Sequence, residues 1–265
     1  MAKPKKNTQA WAITYADMVT LLLTFFVLLM VILSEAEKQI DLQISKLLDN
    51  AYEQMVSALD DKNIDVERVS KGVKITIRGK LFEQLSPNIS SEYLPKIAQI
   101  GGLIKDTDLM KIDLSSIPDS SDENFPLISE LSNSGRELGI EIRCEGHTDD
   151  APIPKEKRTK YDSNFELSSA RSLNVVKQMN KFASIDYQYF SALGYGPYRP
   201  IISVETIKSK KTRREKDRLR EYNRRVEIYL DAFARNKTQT DEKDLIKSLS
   251  SKKRKKKEPE VEETS

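Results

Sequence analysis

A single carboxylate, Asp17, stands inside a long apolar run, and this pairing limits the chain more than any other feature. From Ala10 to Leu33 the sequence reads AWAITYADMVTLLLTFFVLLMVIL, with Asp17 its only charge. At about 1.5 Å rise per residue, a helix of this length crosses a hydrocarbon core of about 30 Å. An ionised side chain at that depth costs at least about 2.5–3.5 kcal/mol, which makes it a candidate for binding or relaying an ion.

The flanking charges orient the span. Lys3, Lys5 and Lys6 precede it, and Glu35, Glu37 and Asp41 follow it. By the positive-inside bias, residues 1–9 stay in the cytoplasm and everything after Leu33 is exported. A cleaved signal peptide fits poorly, because the run is long, contains Asp17 and lacks a small-residue cleavage pattern before Ser34 and Glu35. The expectation is an uncleaved anchor with one span per chain. One helix cannot enclose an ion path, so conduction requires other helices. The net charge of +3 gives no global basic field, so nucleic acid is not an expected partner. The single cysteine, Cys144, excludes an intrachain disulfide.

On an ideal helix each residue advances about 100°, so with Thr14 at zero, Asp17 falls near 300°, Thr20 near 240° and Thr24 near 280°. The four polar side chains thus share about a third of the circumference. Such a seam suits ion binding, with hydroxyls bonding to backbone or to an ion's hydration shell. The plainer reading of Asp17 is an ion pair with a partner helix that serves assembly alone. Trp11 and Tyr15 read as interface anchors.

Beyond the span, Ile40, Ile44, Leu47, Leu48, Ala51, Met55 and Leu59 recur at helical spacing, predicting an amphipathic helix to about Leu59. It reads as a connector or self-pairing helix, or as a segment that obstructs the ion path. A globular region is expected from Val69. Val73, Ile75 and Ile77 alternate with polar residues as in a half-buried strand. Helices are expected over 92–105 and 167–183, and strands over 140–145 and 225–230. Residues 106–133, with DLSSIPDSSDENFP, read as a polar insertion or loop. Alternating strands and helices imply an α/β sandwich with helices on one face. Residues 236–265, with six consecutive basic residues from Lys252 to Lys257, read as a disordered charged tail. His147, the only histidine, reads as a structural residue at a strand end and too isolated to ligate a metal.

Four segments in order carry a family resemblance. EGHTDDAPI at 145–153, NFELSSAR at 164–171, GYGPYRP and YNRRVEIYL together resemble an OmpA-like peptidoglycan-binding domain. The resemblance implies that Asp149 and Arg171 hold the amino-acid part of the wall's diaminopimelate, with Asn164, Arg224 and Arg225 bordering the groove. A zwitterion does need a carboxylate for its ammonium and a guanidinium for its carboxylate. Asn164 could instead cap the following helix, and one of the two arginines could be structural. WAITYADMVTLLLTFFVLL in turn resembles the signature of the MotB/PomB family, the B subunits of flagellar stators.

Span, spacer and domain follow that family's order over about residues 10–232. The resemblance implies a homodimer surrounded by a MotA-like multi-span subunit, located in the bacterial inner membrane and tethered to peptidoglycan. It also implies that Asp17, with Thr14, Thr20 and Thr24 beside it, carries the coupling ion. It further implies a plug within 34–68 and a wall-binding domain over 69–235. A proton is the expected ion and sodium the alternative; no cofactor, metal site or covalent catalysis is expected. The insertion at 106–133, the loop SVETIKSKKTRREKDRLRE and the basic tail depart from a minimal member. Competing readings are a purely structural wall anchor, an ExbD/TolR-type energiser, and a related ion-driven complex serving phage defence or gliding.

Overall fold

A computed structural model describes residues 10–83, 85–112, 124–154 and 161–237. The span and the amphipathic segment, expected as two elements, form one helix, α1 (Ala10–Ala58). Its 49 residues contain neither glycine nor proline, so nothing in the backbone stops it. From Trp11 to Ile32 every side chain is exposed, and the segment is long and apolar enough to cross a membrane.

The second half of α1 behaves differently. Ile40, Ile44, Leu48, Ala51, Met55 and Leu59 are all buried, and they belong to the same core as the sheet. The apolar stripe is therefore a wall of the globular domain rather than a free connector. Polar contacts flank it: Arg68 donates to Asp49 at 2.7 Å and to the Ser45 hydroxyl at 3.1 Å, and Arg136 pairs with Glu37 at 2.6 Å. The packed domain thus begins within α1, upstream of the boundary at Val69 expected from sequence.

The sheet has five strands: β1 (Ile64–Val69), β2 (Gly72–Arg78), β3 (Arg136–His147), β4 (Phe190–Gly196) and β5 (Arg225–Asn236). Their spatial order is β1-β2-β5-β3-β4, antiparallel throughout except that β3 and β4 run parallel. Residues alternate across the sheet, as strand geometry requires. Val73, Ile75 and Ile77 on β2, Val226, Ile228 and Leu230 on β5, and Leu138, Ile142 and Cys144 on β3 are buried in one core. With them pack α1, α2 (Leu94–Lys105) and α5 (Asn164–Ala183). The opposite face carries Thr76, Arg143, Glu145, Glu227, Tyr229 and Asp231.

Between α2 and β3 lie α3 (Asp108–Lys111) and α4 (Phe125–Asn133). The ends of the expected 106–133 loop are therefore helical, because Leu109, Leu127 and Leu131 bury against the core. The loop expected after Ile202 also folds, into α6 (Val204–Ser209) and α7 (Arg213–Asn223). A reciprocal bond pair between Thr212 and Glu215 starts α7. The tail expected at 236–265 falls outside the described residues from Thr238 onward; Asn236 itself ends β5.

Two glycines bring α5 down onto the sheet. A Cβ at Gly146 would lie 2.2 Å from the Ser168 carbonyl oxygen, and one at Gly194 would lie 2.2 Å from the Ser169 hydroxyl. Neither contact is physically possible, so the helix carrying Arg171 sits at a depth only glycine permits.

Candidate functional site

Two separate groups of polar residues need explanation, one in each half of the molecule. In α1, the Thr14, Thr20 and Thr24 hydroxyls donate to the carbonyls of Trp11, Asp17 and Leu21 at 2.8–2.9 Å. Their hydrogens are satisfied within the helix, which leaves oxygen lone pairs facing outward beside the Asp17 carboxylate. Asp17 and the threonines thus line one exposed stripe of acceptors on an otherwise apolar rod.

The second group lies at the far end of the sheet. β3 begins at Arg136, which reaches Glu37 just beyond the span. After a run of twelve residues it ends at His147, beside Arg225 of β5. At about 3.3 Å per residue the loop after His147 stands roughly 35 Å from that first contact. Asp149 is in this loop, pointing away from the membrane end.

Here Asp149 Oδ2 accepts from Arg224 Nη1 at 2.5 Å, and Oδ1 accepts from the Ala151 N–H at 3.1 Å. Arg171, on α5, is buried; its Nε donates to the Ser86 carbonyl at 3.1 Å, and its guanidinium lies over Phe82. Burial pushes its pKa down to about 10, against the pull of the nearby Asp149 charge. Asn164 does not cap α5. Ser163 does, accepting from the Glu166 N–H. The Asn164 amide instead donates to the carbonyls of Ala151 at 2.8 Å and Asp149 at 3.4 Å, pinning the loop.

Arg225 is not part of this group. It lies buried on the polar face of the sheet, donating to Glu227 at 2.5 Å and to the Arg199 carbonyl at 3.2 Å. Of the two adjacent arginines only Arg224 reaches Asp149, because neighbours entering a strand point to opposite faces. One participant was not foreseen. Arg220, on α7, holds Asp150 through two bonds of 2.7 and 3.1 Å, which keeps that carboxyl below its ordinary range. The segment SVETIKSKKTRREKDRLRE, through α7, thus braces the site loop.

His147 does end a strand, but it is not isolated. Its Nε2 lies 3.9 Å from Glu145 and 3.8 Å from Glu227, and among the described residues neither ring nitrogen has a hydrogen-bond partner. The three side chains each bring one possible ligand atom to within 4.8 Å of the others. The remaining carboxylate oxygens are engaged by Arg143 and Arg225, and the Tyr229 hydroxyl donates to Glu227 at 2.7 Å. Arg143 is shared between Glu145 and Asp231, at 2.9 Å from the latter, and Arg225 pairs with Glu227, so the carboxylates of the cluster are held in a network of ion pairs.

The chain thus joins a helix long and apolar enough to cross a membrane to a domain built on a five-stranded mixed sheet. Residues 1–59 match the family described as membrane MotB of the proton-channel complex MotA/MotB. Motility protein B of Bacillus subtilis (strain 168) is 27% identical over 293 aligned residues, covering 92% of this chain and 100% of the relative. The uncharacterized protein YtxE of the same organism is 24% identical, covering 86% of this chain and 90% of its own length. The crystal structure of the periplasmic domain of Helicobacter pylori MotB (residues 78–256) is 20% identical, with a TM-score of 0.43, over 71% of this chain and 91% of that one. The first 59 residues of this chain thus match the MotB family model, and the chain as a whole is similar to Motility protein B.

Proposed function

We propose that this protein is a flagellar stator subunit that couples ion flow to torque while tethered to peptidoglycan. The observation that carries this reading is one unbroken helix with Asp17 on a polar stripe at one end and the globular domain packed on the other. Asp17 takes up and releases the ion, and its change of charge alters contacts with the helices of a MotA-like partner. The Thr14, Thr20 and Thr24 oxygens line the same path. A proton is the coupling ion in this reading, supported by the match of residues 1–59 to the model of a proton-channel complex, with sodium the alternative. Two copies of the chain stand side by side in the inner membrane, with the N-terminus in the cytoplasm and the domain in the periplasm.

At the distal loop, Asp149 receives the ammonium of a wall amino acid, displacing Arg224 from it. The buried Arg171 and the released Arg224 then hold the ligand's carboxylate. Asn164 fixes the loop that makes this exchange possible.

Motility of cells carrying Asp17→Asn, at verified membrane level, tests the reading. The expected result is assembled flagella that do not turn, with wild-type swimming independent of sodium. Normal swimming of the Asn variant would overturn ion coupling at Asp17, and sodium-dependent swimming of the wild type would replace the proton by sodium.

A further inference from the structure

We propose that the ridge formed by α6 and α7 binds an anionic phosphodiester polymer carried by the cell wall, beside the peptide site. This rests on the reading that the distal end of the domain faces the wall. From Lys208 to Arg218 the sequence KSKKTRREKDR holds seven basic residues and two acidic ones. All seven basic side chains except Lys216 are exposed, and that of Arg213 is 96% exposed.

The two acids are otherwise occupied. Glu215 closes the N-terminus of α7 with Thr212, and Asp217 lies 3.7 Å from Arg213 and 3.5 Å from Arg220. Among the described residues Lys210, Lys211, Arg214 and Arg218 form no ion pair.

A run of charge is usually only a solvated face, and two features set this one apart. It is fixed in place: Arg220 grips Asp150 twice, and the Asn223 amide both donates to the Ile202 carbonyl and accepts from its N–H, each at 2.9 Å. A rigid array of cations loses little conformational entropy when a linear anion lies along it. It is also placed at the far end of the sheet. α7 leads directly into Arg225, opposite His147, whereas Arg136 and Asn236 mark the end near the span. The ridge therefore faces away from the lipid and shares a border with the Asp149 loop. Guanidinium and ammonium groups in series match repeating phosphates, which stay charged at every working pH.

The test uses the full chain in detergent micelles, sedimented with wall sacculi that carry their phosphodiester polymers and with the same sacculi stripped by hydrofluoric acid. The wild type is expected to bind intact walls on the order of tenfold tighter than stripped ones, and to lose that preference between 50 and 200 mM salt. A combined Lys210→Gln, Lys211→Gln, Arg213→Gln, Arg214→Gln variant should bind both walls alike, at the wild type's level on stripped walls. Equal binding of both walls by the wild type, or a preference retained by the variant, overturns the proposal. Arg171→Ala separates the two readings. If it binds stripped walls as the wild type does, the peptide site fails, while an undiminished preference for intact walls leaves the ridge standing.

Discussion

His147 packs its ring against Tyr195, with centroids 5.4 Å apart, and both its nitrogens are buried. Burial first, and then the charges of Arg225 and Arg199, push its pKa down to about 4, against the pull of Glu227. The folded protein therefore keeps this ring neutral while the unfolded chain protonates it near pH 6.5. That contribution is intact above pH 6.5 and drains away as pH falls toward 4, reaching about 3 kcal/mol. Glu145 opposes part of it, since burial raises its carboxyl and favours the protonated folded form. Thermal unfolding followed from pH 7 to 4.5 should show the loss, and His147→Asn should flatten the curve. Single residues differed in how far the sequence exposed them. Asp149 and Arg171 stood in readable motifs. Arg220 did not, because its partner Asp150 is 70 positions away and the pairing exists only once α7 has formed. The adjacent pair Arg224 and Arg225 could not be separated without knowing the phase of β5.

Helix α1 shows what periodicity carries and what it omits. The spacing of Ile40, Ile44, Leu48, Ala51 and Met55 marked a helix with one apolar stripe, but a stripe does not name the surface that covers it. That surface is the domain's own core. Leu48 is 2% exposed, and its truncation to Ala should cost about 2–4 kcal/mol. Denaturant unfolding measures that loss, and hydrogen exchange should show faster opening across residues 40–59. β1 and β4 were not foreseen for related reasons: both are edge strands, and β4, FSALGYG, owes its place to glycines rather than to alternating bulk. The 106–133 segment looked polar because its middle dominates the composition, whereas Leu109, Leu127 and Leu131 anchor its ends.

For the whole molecule, Asp17 is joined to the domain that carries the Asp149 loop by one continuous helix whose second half packs into the domain's core. The apolar segment, the stripe and the domain are joined through one helix and one core, so in the stator reading proposed above force would pass from membrane to distal loop through helix and strands. Lys38→Pro would interrupt α1 between the span and the docked stripe. The Lys38 side chain makes only a surface ion pair with Glu35 at 4.0 Å. A proline there can open a new helix ahead of Ile40, so the docked stripe should keep its packing while the Glu37–Arg136 pair is put at risk. Swimming speed should fall at unchanged membrane level; a variant that swims like wild type would show that an intact shaft is not required.

Because one helix carries both features, it also fixes their compass bearings. Ile40, Ile44, Leu48, Ala51 and Met55 follow Asp17 at positions that fall between about 140° and 220° around the axis from it. The acceptor stripe therefore looks one way and the docked domain hangs on the other side. Turning Asp17 inward, toward neighbouring helices, swings the globular domain outward like a flag on its pole. Two such chains back to back in the membrane would fly their domains apart, and bringing those domains together demands that the pole be unwound or the flag taken down.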